Sequence, residues 1–163
     1  MDRYLLISLS FILLLLQSSI FPFLFGGVHQ PDIWLVSVII VSMIFPLRTA
    51  FSLAVIGGFL QDLVVSNFFG LHLFPYIIIA YLVAKWGKAR YNRYWYISVL
   101  AVMFGSMMYI ILSGIILAAG GVIVKFWTYP LYMGIPFVLY NTLFSVFLHY
   151  VLWSLKVERE SRW

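Results

Sequence analysis

The sequence predicts an all-α integral membrane protein that folds as a bundle of six transmembrane helices. Hydrophobic residues make up 64% of the 163-residue chain, charged residues make up 9%, and the mean hydropathy is +1.06. A soluble domain carries roughly 25% charged residues to cover its surface. The apolar runs are continuous, whereas a transmembrane β-barrel needs alternating patterning. We therefore expect lipid to be the solvent and residues 1–163 to form a single transmembrane domain.

Six apolar segments account for the six predicted helices. A membrane-spanning helix needs about 20 apolar residues, with a range of about 17 to 25. The second and third segments are short and meet at a turn marked by Pro46 and Arg48. We expect the third and fifth helices at the centre, and the Phe- and Leu-rich faces of the first and sixth helices against lipid. The segments are residues 4–25, 31–47, 49–66, 70–87, 95–120 and 133–155.

The basic residues predict that both termini lie in the cytoplasm. With this orientation nine of the ten Lys and Arg residues fall on the inner side, and Lys125 alone falls outside. Cytoplasmic loops of membrane proteins carry this excess of basic residues. Topology therefore explains the net charge of +5, and we expect no nucleic-acid partner. The nine residues are Arg3, Arg48, Lys85, Lys88, Arg90, Arg93, Lys156, Arg159 and Arg162.

Small residues form a stripe on one face of the third helix. Ala50, Ala54 and Gly58 recur every four residues and lead to Asp62, and Gly57 widens the stripe. Residues four apart share a helix face, and small side chains in membrane helices let a neighbouring backbone approach closely. The stripe predicts either tight packing inside the bundle or an interface with a partner helix. The fifth helix shows a similar pair, Ala101 and Gly105.

Asp62 is one of only five acidic residues, and it follows a long apolar run. An ionisable group at membrane depth is costly and often marks a functional site. Two roles remain open. Asp62 either bonds the backbone of the turn at residues 66–70 and ends the third helix, or lines an outer pocket. Its predicted polar neighbours are Gln61, Ser66, Asn67 and His72, joined by His29, Gln30 and Asp32 from the first outer loop.

The sequence offers no pattern for catalysis, metal binding or a cofactor. It contains no cysteine, no Gly-x-Ser-x-Gly elbow and no Walker loop. His29, His72 and His149 are scattered rather than spaced as metal ligands on one helix. The predicted helix centres are nearly free of charge, which disfavours ion-coupled transport. We therefore expect no catalytic residue, no metal and no cofactor.

The stretch "GGFLQDL", followed by "FFGLHLFPYIIIAYLVAK" and preceded by "QPDIWLVSV", resembles the rod-shape-determining membrane protein MreD family. The resemblance implies a polar motif site that includes Asp32, Asp62 and Gly70. The other residues that carry it are Pro31, Gly57, Gly58, Phe59, Leu63, Leu71 and Tyr81.

Membership would imply a non-catalytic component of the cell-elongation machinery in the bacterial inner membrane. Such a component supports lateral peptidoglycan synthesis and cell shape, and it works with MreC, a bitopic protein with a large periplasmic domain. MreB, RodA and a class-B penicillin-binding transpeptidase are further implied partners. A bundle with a small-residue groove would suit clasping the single transmembrane helix of MreC.

The family fold is similar to that of the S components of energy-coupling-factor transporters, which supplies an alternative. An S component binds a small vitamin from the outer side and docks on a coupling subunit through an Ala-x-x-x-Ala motif on its first helix. The first helix here contains "LLISLSFILLLLQSS" and has no alanine in that stretch. This departure argues against the transport function.

Overall fold

The computed structural model describes residues 3–26, 30–66, 68–86, 94–123 and 130–160, and these contain six helical segments and no β-strand. The all-α prediction is confirmed. Helix α1 comprises Arg3–Leu15, a π-helical turn Leu16–Ile20 and Phe21–Phe25 without a break. The other helices are α2 (Ile33–Ile44), α3 (Leu47–Val64), α4 (Leu73–Trp86), α5 (Trp95–Ala119) and α6, which begins with a π-helical turn Pro130–Gly134 and continues over Ile135–Glu160.

The six helices fall into two classes of length. Four contain stretches long and apolar enough to cross a membrane, namely Leu6–Phe25, Leu47–Val64, Trp95–Ala119 and Ile135–Val157. The two shorter apolar helices are Ile33–Ile44 and Leu73–Lys85. Twelve residues at about 1.5 Å each give α2 a length of roughly 18 Å, well short of a hydrocarbon core of about 30 Å.

Helix α2 forms the centre of the bundle, which corrects the expectation that the third and fifth helices lie there. Every residue of α2 is buried, and the helix packs against α1, α3, α4, α5 and α6. Its sequence, "IWLVSVIIVSMI", is apolar on all sides apart from two serines and a methionine sulfur, and a helix that is hydrophobic all round is buried. Surrounded by protein, α2 does not need the length of a lipid-exposed helix.

Large apolar side chains on α1 and α6 face outward, as expected for lipid contact. Phe11 and Phe23 on α1, and Leu143 and Phe147 on α6, are all exposed. These residues would be unfavourable on a protein in water, where large exposed apolar patches are rare. The bundle therefore presents an apolar circumference around a closely packed central helix.

Helices α2 and α3 form an antiparallel hairpin joined by Phe45 and Pro46. The indole of Trp34 lies directly over Gly57, and a Cβ at Gly57 would overlap the ring. The indole Nε1 donates a hydrogen bond to the backbone carbonyl of Leu53, at 3.2 Å. The missing side chain at Gly57 therefore makes room for the largest fully buried side chain of the core.

Candidate functional site

Asp62 lies near the end of α3 and holds the start of α4. Its Oδ2 accepts hydrogen bonds from the backbone N–H groups of Gly70 and Leu73, at 2.8 and 3.1 Å. Its Oδ1 accepts from the N–H of His72 at 2.8 Å and lies 3.0 Å from the Nδ1 of the same residue. The first N–H groups of a helix have no partner within it. The buried Asp62 carboxylate supplies those partners from a neighbouring helix.

These bonds bear on the two roles considered for Asp62. The carboxylate bonds backbone N–H groups of the connecting turn, at Gly70 as predicted and also at His72 and Leu73, beyond the predicted turn. It therefore organises the start of α4 rather than the end of α3. Gly70 adopts a left-handed conformation with φ of 95°. Glycine adopts this conformation without steric cost, and it turns the Gly70 N–H toward Asp62.

Gly58 brings the backbones of α3 and α4 together. A Cβ at Gly58 would overlap the Cα of Leu73 and lie 2.9 Å from its backbone nitrogen. The obstructing atoms are main chain, so no rotamer change would relieve the overlap. Gly58 and Asp62 are one turn apart and both contact Leu73. We call this contact between α3 and α4 the glycine–aspartate seam.

Asp32, the second predicted polar residue, lies at the start of α2 and is buried. Its Oδ1 accepts from the N–H of Leu35 at 2.9 Å, which caps α2. Its Oδ2 accepts from the hydroxyl of Tyr76 on α4 at 2.6 Å. Its own N–H donates to the Oδ1 of Asn141 on α6, at 2.7 Å. One residue therefore links α2, α4 and α6.

Two further helices join this network. The Nδ2 of Asn141 donates to the hydroxyl of Ser106 on α5, at 3.1 Å. Gln17 lies in the π-helical turn of α1, where its Nε2 donates to the carbonyl of Pro31 at 3.0 Å and its Oε1 accepts from the N–H of Ile33 at 3.2 Å. We call the set the polar centre: Gln17, Asp32, Tyr76, Ser106 and Asn141.

His72 connects the seam to the polar centre. Its ring is 3.0 Å from Asp62, and its centroid lies 5.9 Å from the rings of both Tyr76 and Tyr109. The structure therefore brings Asp32, Asp62 and Gly70 to one end of the bundle, the predicted outer end. Sequence reasoning missed the remaining members of the polar centre. Gln17 and Asn141 carried a signal, because each is a lone amide in an apolar run, whereas Tyr76 and Ser106 carried none.

The small residues of α3 face the interior of the bundle. Ala50 and Ala54 are fully buried, and Gly57 and Gly58 are covered by Trp34 and Leu73. A partner helix has no access to this stripe in the structure, so a clasp on MreC at this face is not supported. The physical reason is that the chain's own α2 and α4 already use the close approach that small residues allow.

The pair of small residues on α5, Ala101 and Gly105, is only partly enclosed by the other helices. Gly105 packs against Ile39, whose Cδ1 would lie 2.6 Å from an added Cβ. Ala101 is only partly buried. Both residues line an apolar groove of about 330 Å³ formed by α2, α4 and α5, with Met43, Leu100 and Phe104 among its other walls.

A second apolar groove of about 580 Å³ separates α1 from α6. At one end the two helices touch through aromatic rings, with Phe21 against Phe144 at 5.4 Å and Phe25 against Tyr140 at 5.1 Å between centroids. Beyond this contact they are separated by the groove. We call this opening the α1–α6 groove; its walls include Ser8, Ile12, Leu16, Phe147, Val151 and Leu155.

A separate polar contact lies toward the other end of α5 and α6. The Ser98 hydroxyl is 2.7 Å from the Nδ1 of His149, and both residues are buried. The His149 ring stacks on Trp153, and Lys156 lies over the Trp153 ring at 5.1 Å. A serine beside a histidine is the arrangement of an activated nucleophile. Ser98, however, has no exposed surface that a substrate would reach, so we interpret the pair as a contact between α5 and α6.

No three His, Cys, Asp or Glu side chains in the described ranges come together as metal ligands. Several residues singled out from the sequence lie outside these ranges. They are the polar residues His29 and Asn67 and the basic residues Lys88, Arg90, Arg93, Lys125 and Arg162.

Comparison with known proteins gives one finding. A family model described as rod shape-determining protein MreD matches residues 2–156. The match covers α1 to α5 and most of α6, and includes the seam and the polar centre. No curated protein and no solved structure matches the chain.

Proposed function

The chain belongs to the rod shape-determining protein MreD family, and we propose that it acts as a non-catalytic scaffold that binds the transmembrane helix of MreC. In this function it supports lateral peptidoglycan synthesis and cell shape from the bacterial inner membrane, with both termini in the cytoplasm. MreB, RodA and a class-B penicillin-binding transpeptidase are the further partners we propose. The family match and the apolar helices support a membrane protein of rod-shape determination.

The observation that carries the proposed MreC contact is the α1–α6 groove. It extends from Ser8 to Phe21 along α1, which is roughly 20 Å at about 1.5 Å per residue. Its walls are almost entirely apolar side chains. A helix from a bitopic protein is a long apolar cylinder, so its length and chemistry fit this groove.

Association in a membrane needs shape more than hydrophobicity. Lipid tails are as apolar as leucine, so helices associate through van der Waals packing and lipid entropy rather than through escape from water. Each pair of heavy atoms in contact contributes only about 0.1 to 0.2 kcal/mol, and a groove with two walls multiplies such contacts. A flat lipid-facing surface lacks this advantage.

The S-component alternative has less support in the described residues. The bundle interior near the predicted outer end is filled by fully buried side chains, including Trp34 and Tyr76. The two grooves described above are apolar and lie on the lipid side. A vitamin needs polar partners inside a cavity, and neither groove offers them.

Two matched substitutions test the proposed interface. Ile12 in the α1–α6 groove and Leu100 in the other groove are 50% and 49% exposed. Ile12→Trp fills the α1–α6 groove, and Leu100→Trp adds the same bulk to the other groove. We expect Ile12→Trp to reduce co-purification of MreC at least five-fold in mild detergent, and Leu100→Trp to leave it unchanged.

Thermal unfolding midpoints serve as the control, since both side chains point toward lipid and neither substitution should lower the midpoint. Wild-type recovery of MreC with Ile12→Trp, or loss of MreC with Leu100→Trp alone, would refute this interface.

A further inference from the structure

The groove formed by α2, α4 and α5 opens on the surface of the bundle. Its volume is about 330 Å³, and its walls are almost entirely apolar. Two of these walls, Leu100 and Phe104, are 49% and 64% exposed, so a molecule outside the bundle has access to the groove. Along α5 the groove extends from Ile97 to Met108, which is roughly 17 Å at about 1.5 Å per residue. This length is close to half of a hydrocarbon core of about 30 Å, and therefore suits an acyl chain from one leaflet.

Lys85 lies at one end of this groove, where α4 ends and α5 begins. It follows Leu82, a wall of the groove, by three residues, and residues three apart on a helix are neighbours. The Nζ of Lys85 lies 6.0 Å from the centroid of the Tyr81 ring. On α5, the exposed Tyr94 precedes Ile97, another wall, by three residues. Both helices therefore place a polar-tipped side chain one turn beyond the apolar walls.

The charge of the sequence at this end of the groove is entirely positive. The nine residues from Lys85 to Arg93, which end α4 and lead to α5, include four basic residues and no acidic residue. No Asp or Glu occurs between Asp62 and Glu158, and Asp62 is bonded to the opposite end of α4. A ligand at the Lys85 end of the groove is therefore favoured when it carries net negative charge.

We propose that this groove binds an anionic phospholipid, with one acyl chain between α4 and α5 and the phosphate beside Lys85. Basic residues next to a membrane-spanning helix attract anionic head groups, and tyrosines are enriched at the same depth. A zwitterionic phospholipid has the same chains, but the ammonium of its head group opposes the attraction of its phosphate to lysine. The site goes beyond the scaffold function, because its walls share no residue with the α1–α6 groove.

Native mass spectrometry of the full-length protein tests the proposal with two lipids that both carry one palmitoyl and one oleoyl chain. Phosphatidylglycerol is anionic, whereas phosphatidylethanolamine is zwitterionic. We expect the wild type to retain at least five-fold more phosphatidylglycerol than phosphatidylethanolamine. Equal retention of the two lipids would overturn the proposal, because the site would then not distinguish the charge of the head group.

The two tryptophan variants locate the bound lipid. Leu100→Trp fills this groove and should lower retention of phosphatidylglycerol at least five-fold, whereas Ile12→Trp fills the α1–α6 groove and should leave retention unchanged. Unchanged retention with Leu100→Trp, or an equal or larger loss with Ile12→Trp, would overturn the proposal. Loss of MreC rather than lipid with Leu100→Trp would assign the groove to a protein helix instead. The two proposals fail separately, since wild-type recovery of MreC with Ile12→Trp leaves the lipid result intact.

Lys156 provides a matched control for Lys85. Its Nζ lies 5.1 Å from the centroid of the Trp153 ring near the end of α6, much as Lys85 lies over Tyr81 near the end of α4. Lys85→Gln should lower retention of phosphatidylglycerol at least three-fold without changing that of phosphatidylethanolamine, and Lys85→Arg should keep the wild-type preference. Lys156→Gln should leave the preference unchanged. Equal losses with Lys85→Gln and Lys156→Gln would overturn the proposal, because the lipid would then respond to the overall charge of the protein.

Discussion

The glycine–aspartate seam and the α1–α6 groove differ in how closely their helices approach and in how polar the contact is. At the seam, Gly58 lets two backbones touch and Asp62 satisfies three N–H groups of the partner element. At the groove, α1 and α6 are separated by an opening lined by apolar side chains such as Ile12 and Phe147. The seam is closed and fully bonded, whereas the groove is open and has almost no polar surface.

The difference shows where a membrane protein uses its small residues. A stripe such as Ala50, Ala54 and Gly58 allows close approach, and in this chain the nearest neighbours to use it are its own helices. Surfaces left for other molecules are then lined by large apolar side chains such as Phe147. Small-residue stripes are therefore a poor guide to partner interfaces when the chain has other helices to pack there.

Breaking the seam at Asp62 should have the largest effect. Asp62→Leu leaves the buried N–H group of Gly70 and the partly buried N–H groups of His72 and Leu73 without acceptors. Each unsatisfied group costs about 1 to 3 kcal/mol, so we expect a loss of about 4 kcal/mol in the free energy of unfolding. Titration with a denaturing detergent measures this loss. A change below about 1 kcal/mol would show that these bonds do not hold α4 in place.

Gly58→Ala should have the next largest effect. The added methyl group would overlap the Leu73 backbone, which has no rotamer to change, and inserting bulk into a packed core costs about 1 to 3 kcal/mol. We expect about 3 kcal/mol in the same titration, with Gly121→Ala as a control for glycine loss. An added Cβ at Gly121 would meet no atom within 4 Å, although its positive φ adds a smaller backbone cost. Equal losses in the two variants would contradict the seam.

Asp62→Asn separates the negative charge of residue 62 from part of its hydrogen bonding. The amide keeps one oxygen to accept N–H groups but turns a donor toward the others, so we expect a loss of about 2 kcal/mol, smaller than for Asp62→Leu. Rod-shape complementation provides the functional measurement. If Asp62→Asn complements while Asp62→Leu fails, the negative charge is not needed. If Asp62→Asn folds normally but fails to complement, the charge itself has a function beyond holding the turn.

The smallest effect on stability is expected in the groove. Phe147 is 66% exposed, and a substitution at such a surface position usually changes the free energy of unfolding by less than about 0.5 kcal/mol. We expect Phe147→Ala to stay within this range while weakening recovery of MreC. A loss comparable to that of Gly58→Ala would show that Phe147 belongs to the core of the bundle.

The sequence predicted the elements of this fold better than their arrangement. Hydropathy located six helical segments because continuous apolar runs are a strong signal. It did not identify α2 as the centre, since burial on all sides by protein and burial in lipid favour the same residues. Asp32 and Asp62 were found because charges are rare here. Tyr76 and Ser106 were not, because a tyrosine or a serine in an apolar helix has many ordinary positions, and only the fold brings them to Asp32 and Asn141.

Photo-crosslinking tests most directly whether the partner contact lies in the α1–α6 groove or in the groove lined by Gly105 and Phe104. Phe147 and Phe104 are 66% and 64% exposed and line the two different grooves. The photoreactive analogue p-benzoylphenylalanine is placed at each position in turn, in cells that express MreC. We expect a crosslink to MreC from position 147 and none from position 104. A crosslink from position 104 and none from position 147 would contradict the claim.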